Sequence, residues 1–199
     1  MSNVIHSLRR EGRRYGVNEY TAESLAIPTL FEQNNASFNG WTTSGAVSID
    51  NTIGSPVPSF SIPQGGYAYT NANIVSPCTI TLQMYANAGT SLCNIFFMCN
   101  ASGVGTMYRL ECRSAASGFG TTSGWATRNP AGNMAQQTAA AWHSLRFQIN
   151  ASNGVTGYID GVLMSQSIVA GAMGPYIGCD GDGGNGGHFQ DIKVYNGLI

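Results

Sequence analysis

Charged side chains are scarce in this chain. Asp, Glu, Lys and Arg make up 10% of its 199 residues, against about 25% in an average soluble protein. Lys193 is the single lysine, and past Gln33 the other cations are Arg109, Arg113, Arg128 and Arg146, too scattered to grip a phosphate backbone. With a net charge of −1, this argues against nucleic acid as a partner. Long apolar runs are missing as well. No segment approaches the roughly 18 apolar residues of a membrane-spanning helix, so no membrane partner is expected. Arg9, Arg10, Arg13 and Arg14 are not followed by an apolar stretch of signal-peptide length, so no secretory leader is expected. The cysteines also lack order: Cys78, Cys93, Cys99, Cys112 and Cys179 are odd in number and show none of the paired spacings of a zinc site. The first four fall in apolar runs, where a reduced thiol is expected to pack as a small hydrophobe.

Glycine, in contrast, is abundant, at 26 residues, and Asn, Ser and Thr supply the polar surface. That composition suits many short strands joined by turns. The strands are marked by alternation of apolar and polar residues, because successive side chains of a strand point to opposite faces. Alternation is clean from Cys78 to Tyr85. It is clean again from Met107 to Arg113, where Tyr108, Leu110 and Cys112 share one face and Arg109, Glu111 and Arg113 the other. Leu92 to Cys99 is nearly all apolar, as expected of a strand over a crowded core. Trp142 to Ile149, Val155 to Ile159 and the run from Val162 read as antiparallel strands, the last two joined at Asp160-Gly161, a dipeptide suited to the positive φ of a tight hairpin. Thr52 to Gly66 holds Pro56, Pro58 and Pro63 and reads as an extended loop or a sheet edge. Residues 114–124 read as a loop around Phe119, and residues 125–138 as irregular.

From Trp142 to Tyr195 the succession of strand, Asp-Gly hairpin, glycine-rich loop and closing strand (His188 to Tyr195) resembles the concanavalin A-like jelly rolls, the superfamily of legume lectins, laminin G-like domains and beta-glucanases. The resemblance implies an all-β fold, a two-sheet antiparallel jelly-roll sandwich over residues 36–199. Residues 1–35 differ in composition and read as an extended N-terminal arm, basic up to Gly16 and acidic from Asn18 to Glu32, with one helical turn over residues 21–26. Arg9, Arg10, Arg13, Arg14, Tyr15 and Tyr20 are its candidates for assembly contacts.

The resemblance also sets a test for catalysis. Beta-glucanases of the superfamily carry a Glu-x-Asp-x-x-Glu strand, since retaining glycosidases need two close carboxylates. This chain has no such motif, and Glu111, the one Glu after Glu32, is flanked on its own face by Arg109 and Arg113. No enzymatic activity is expected. Asp180, Asp182 and Asn185 lie on a Gly-rich stretch ending at Gly187, which offers oxygen donors to a calcium ion and a rim for ligand contact. Calcium is the one cofactor these residues suggest. Of the aromatics suited to stacking on a sugar, Trp41, Tyr67, Tyr69, Phe119 and Trp125, the loop placement of Phe119 and Trp125 makes these two the nominees for ligand contact. His143 and His188 read as hydrogen-bonded structural residues. The Asn-Ala-Ser sequons at Asn35, Asn100 and Asn150 are expected to be unused.

Three roles stand open. The preferred one is a non-catalytic virion structural protein, a bacteriophage capsid-decoration, head-fibre or tail-associated component. It would be held to other virion proteins by the arm in a homo-oligomeric or multicopy assembly, with a lectin-like domain for host-surface glycan. The alternatives are a free or modular carbohydrate-binding protein and a glycan hydrolase without the usual motif.

Overall fold

The computed structural model describes residues 27–53, 57–87, 92–99, 106–112, 117–123, 129–134, 140–169, 174–183 and 186–199; for residues 92, 106–112, 117–123, 129–134, 164–169 and 182–183 it describes the backbone. Strands dominate them: β1 (Thr29–Glu32), β2 (Thr42–Ser44), β3 (Ser48–Asp50), β4 (Ser59–Ile62), β5 (Tyr67–Asn71), β6 (Cys78–Ala86), β7 (Leu92–Cys99), β8 (Thr106–Cys112), β9 (Ser117–Ser123), β10 (Asn129–Met134), β11 (Trp142–Ile149), β12 (Gly154–Ile159), β13 (Val162–Val169), β14 (Tyr176–Gly183) and β15 (Gly187–Asn196). They form two antiparallel sheets. The first runs β13-β12-β11-β6-β15-β4-β3, with β1 also paired to β15, and the second runs β10-β9-β8-β7-β14-β5-β2. The chain is therefore an all-β sandwich of two antiparallel sheets, as the resemblance implies.

Burial follows the pleat. Along β6, Cys78, Ile80, Leu82, Met84 and Ala86 are buried, and along β11 so are Leu145, Phe147 and Ile149. These side chains meet Ile95 and Phe97 of β7 and Ile177 of β14 from the other sheet in one core. The Phe97 and Phe147 rings sit 4.7 Å apart across the two layers. Removing a ring of this kind typically costs about 3–5 kcal/mol, because the surroundings relax only partly into the space. Cys78, Cys93 and Cys99 are reduced and buried, as their apolar runs predict, and Cys179, outside such a run, is reduced and buried as well. Burial pushes the Cys78 and Cys99 thiols up to about 12, so neither is a nucleophile at neutral pH. The hairpin at Asp160-Gly161 forms as expected, with φ of 49° and 78° at the two positions.

Five expectations are corrected. The segment read as a proline-rich loop contains β4, an interior strand between β15 and β3; Pro58 and Pro63 flank it rather than interrupt its ladder. The loop read around Phe119 is strand β9, and the irregular stretch beyond it contains β10. Pro130 is tolerated there because β10 is a sheet edge. Asp180 lies within β14 rather than in a loop. Finally, the last residues assigned to the arm belong to the sandwich. β1 pairs with β15, matching Thr29 to Tyr195 and Glu32 to Lys193.

The segment after β1 also clamps an irregularity in β15. The register of β15 against β6 shifts between Gln190 and Lys193, and Asp191 there has a φ of 55°. A bulge leaves backbone groups without ladder partners. Here the Asp191 N–H donates to Asn35 Oδ1 at 3.1 Å and the Ile192 N–H to Gln33 Oε1 at 3.1 Å. Asn35 Nδ2 in turn donates to Asp191 Oδ1 at 2.9 Å. The Asn35 side chain is thus committed to the fold through both its amide atoms.

Candidate functional site

The face of the second sheet that points away from the core carries a group of aromatic and planar polar side chains. In β7, Cys93, Ile95 and Phe97 enter the core, so Asn94 and Phe96 project from the opposite face. Ile177 and Cys179 of β14 are core residues, which places Tyr176, Gly178 and Asp180 outward. Ala68 of β5 is core, leaving Tyr67 and Tyr69 outward. Register then lines these positions up. One cross-strand row runs Ser44, Tyr67, Asp180, Asn94, Glu111, and the next runs Thr42, Tyr69, Gly178, Phe96, Arg109.

The rows have a reason in packing. Phe96 lies across Gly178, where a Cβ would come within 2.3 Å of the ring. Only glycine lets the ring fold flat on the sheet, and Tyr69 and Tyr176 pack against it and Cys99 as a small second cluster. The Tyr67 and Tyr69 rings are stacked with centroids 5.9 Å apart, and Tyr69 meets Tyr176 edge-on at 6.2 Å. These three tyrosines are half-buried, each keeping part of its surface in solvent. Beside them, Asn94 Nδ2 donates to the Asp180 carboxylate. Both residues are buried, at 0% and 5% exposure. Asn94 Oδ1 makes no hydrogen bond.

Of the residues nominated from sequence, Asp180 is the one brought into this face. Phe119 lies in β9, where it pairs with Leu110 of β8, and is described by backbone alone. Asp182 is described by backbone alone, and Trp125, Asn185 and the arm residues Arg9, Arg10, Arg13, Arg14, Tyr15 and Tyr20 lie outside the described residues, as does the helical turn expected over 21–26. Of the calcium set, Asp180 is the member whose side chain is described, and its Oδ1 accepts the Asn94 Nδ2–H. No group of three or more His, Cys, Asp or Glu able to hold a metal ion occurs among the described residues. The tyrosines carry the alternation signal in sequence, but which face they take appears only from the pairing of β5 with β14.

The histidines have structural partners. His143 Nδ1 lies 2.7 Å from Asp160 Oδ2, and Asp160 Oδ1 accepts the Ser144 N–H at 2.9 Å, which ties the hairpin back to β11. His188 is buried, with Nδ1 3.2 Å from Ser59 Oγ. Because the Ser59 hydroxyl donates to the Ile53 carbonyl at 2.8 Å, His188 Nδ1–H is the donor to Ser59 Oγ.

The outward face of the first sheet holds a groove of about 470 Å³ over β6, β11 and β15, with Thr81 and Gln83 on its floor and Arg146, Tyr158, Lys193 and Tyr195 among its walls.

No family model matches the chain, and no curated protein matches it. Solved structures do. Domain 4 of AbnA, a GH43 extracellular arabinanase from Geobacillus stearothermophilus, in complex with arabinotriose, is similar at a TM-score of 0.56 and 13% identity, over 80% of this chain and 83% of that one. The carbohydrate-binding module CBM66 from Bacillus subtilis is similar at 0.55 and 12%, over 80% and 93%. A protein of unknown function with a galectin-like fold from Bacillus subtilis gives 0.62 and 12%, over 87% and 98%. At these identities the likeness is one of fold: the chain shares the two-sheet β-sandwich of carbohydrate-binding and galectin-like domains.

Proposed function

We propose that this protein is a non-catalytic glycan-binding domain that receives its ligand on the tyrosine-bearing face of the second sheet. The observation that carries the reading is the grouping of Tyr67, Tyr69 and Tyr176 beside the Asn94–Asp180 pair. Aromatic faces cover the apolar side of a pyranose or furanose ring, and the three tyrosines keep solvent-facing surface while the Asn94–Asp180 pair beside them is buried. The similar domains support it, one being in complex with arabinotriose and another being a carbohydrate-binding module. Of the roles open from sequence, carbohydrate binding thus gains support, while the fold adds none to the virion role.

The test is a glycan array probed with the protein displayed in many copies, since avidity multiplies weak single-site binding by about 10²–10⁴. Tyr69→Ala and Tyr176→Ala should each abolish the array signal while leaving the thermal melt cooperative. An intact, multivalent protein that bound no glycan would sink the reading.

A further inference from the structure

We infer that the groove on the first sheet is a second, separate ligand site, and that it takes an acidic saccharide. One cross-strand row crosses it: Tyr158, Arg146, Thr81, Lys193, Glu32. Neighbouring strands lie about 4.8 Å apart, so Arg146 and Lys193 stand roughly 10 Å from each other with one short residue between them. That gap over Thr81 has the width of a single sugar ring.

The cations are not equivalent. Lys193 pairs with Glu32 at 2.7 Å on the open rim. Arg146 has no carboxylate partner among the described residues. Its guanidinium lies 4.3 Å above the Tyr158 ring, a stacking that fixes the plane of the fork and leaves its N–H edge free. Of the acids near the groove, Asp191, which lines it beside Lys193, accepts the Asn35 Nδ2–H, and Asp160, at the nearby hairpin, is held by His143 and the Ser144 N–H. In a chain so poor in charge, an unpaired, pre-oriented guanidinium on a groove wall is a binding group for an anion. The neutral floor of Thr81, Gln83 and Ser144 offers hydroxyls and an amide to neighbouring sugar hydroxyls rather than more charge. Gln190, beside Gln83 and 1% exposed, keeps its Oε1 without a partner. The site therefore suits a sugar bearing one anionic group, a carboxylate or a sulfate ester, with the anion on Arg146 in a bidentate bond.

This site is independent of the tyrosine face, and a labelled-amide titration followed by NMR separates the two. The full chain is titrated with a trigalacturonate, its uncharged methyl ester, a sulfated trisaccharide and inorganic sulfate. Binding of the uronate or of the sulfated sugar is expected, with shifts at Thr81, Gln83, Arg146 and Lys193, and whichever binds identifies the anion. Affinity should fall about tenfold or more with the ester or in Arg146→Ala, and less in Arg146→Lys, which keeps the charge but loses the fork. Raising salt from 50 to 500 mM should weaken it several-fold. Equal binding of the ester, equal binding of inorganic sulfate, no binding of either acidic sugar, or shifts confined to Tyr67, Tyr69 and Tyr176 would each overturn the proposal.

Discussion

At the scale of single residues, buried polar groups make the molecule sensitive to acid. Burial holds the His188 imidazole below its usual range, with the nearby Asp50 carboxylate opposing part of that shift. The unfolded chain takes up this proton near pH 6.5, whereas the folded chain resists it until lower pH. Stability from His188 is therefore complete above about pH 6.5 and falls as pH drops toward the folded value, by up to about 1.4 kcal/mol per pH unit for one proton. Urea midpoints measured from pH 7.5 to 5 should show this loss, and His188→Gln should flatten it. Asp50 titrates in a lower window, its carboxyl held down first by the Thr52 hydroxyl and then by the Thr52 N–H. The structural reading of His188 was accessible from sequence because its strand alternates around it. Asp180 was not so readable. Glycines at 178, 181, 183 and 184 look like a turn, yet Gly178 is there to admit a ring and Asp180 to meet Asn94, a residue 86 positions away.

Among the elements, the bulge of β15 depends on two side chains that follow β1. Asn35→Ala would strand the Asp191 N–H and free its carboxylate, while Gln33 continues to hold Ile192. An unsatisfied buried group costs about 1–3 kcal/mol, and denaturant unfolding should show a loss in that range. Because the same bulge sets the angle of Lys193, the substitution should also weaken anion binding in the groove. Elements whose pattern is local were legible: β6, β11 and the Asp160-Gly161 hairpin each follow from alternation or from the φ demanded at a turn. Strands β9 and β10 were not, since their Ser, Gly, Asn and Pro have little strand preference of their own; β9 gains order by pairing onto β8, and β10 by pairing onto β9. β4 was hidden by the prolines that bracket it.

For the whole molecule, the boundary of the fold has moved upstream of Ala36. A chain shortened to start at residue 27 should unfold cooperatively, because it keeps β1 and the bulge clamp. One shortened to start at residue 36 should melt at clearly lower temperature, because it lacks β1, Gln33 and Asn35. Calorimetry on the pair decides, and equal melting temperatures would show that β1 contributes nothing. The all-β class was legible in composition and alternation together, and the two-sheet sandwich in the resemblance carried by residues 142–195. The binding faces were not, because each is assembled from residues on at least three strands whose register no local pattern records.

The pairing of β1 with β15 has a consequence for how such a domain is carried. The Asn196 N–H donates to the Pro28 carbonyl at 2.8 Å, so the incoming and outgoing chain cross the domain surface side by side. A body whose two leads meet at one point needs no room to be threaded into another polypeptide: it can be spliced into a surface loop of a host protein as a pendant head, with the host's own backbone closing up beneath it.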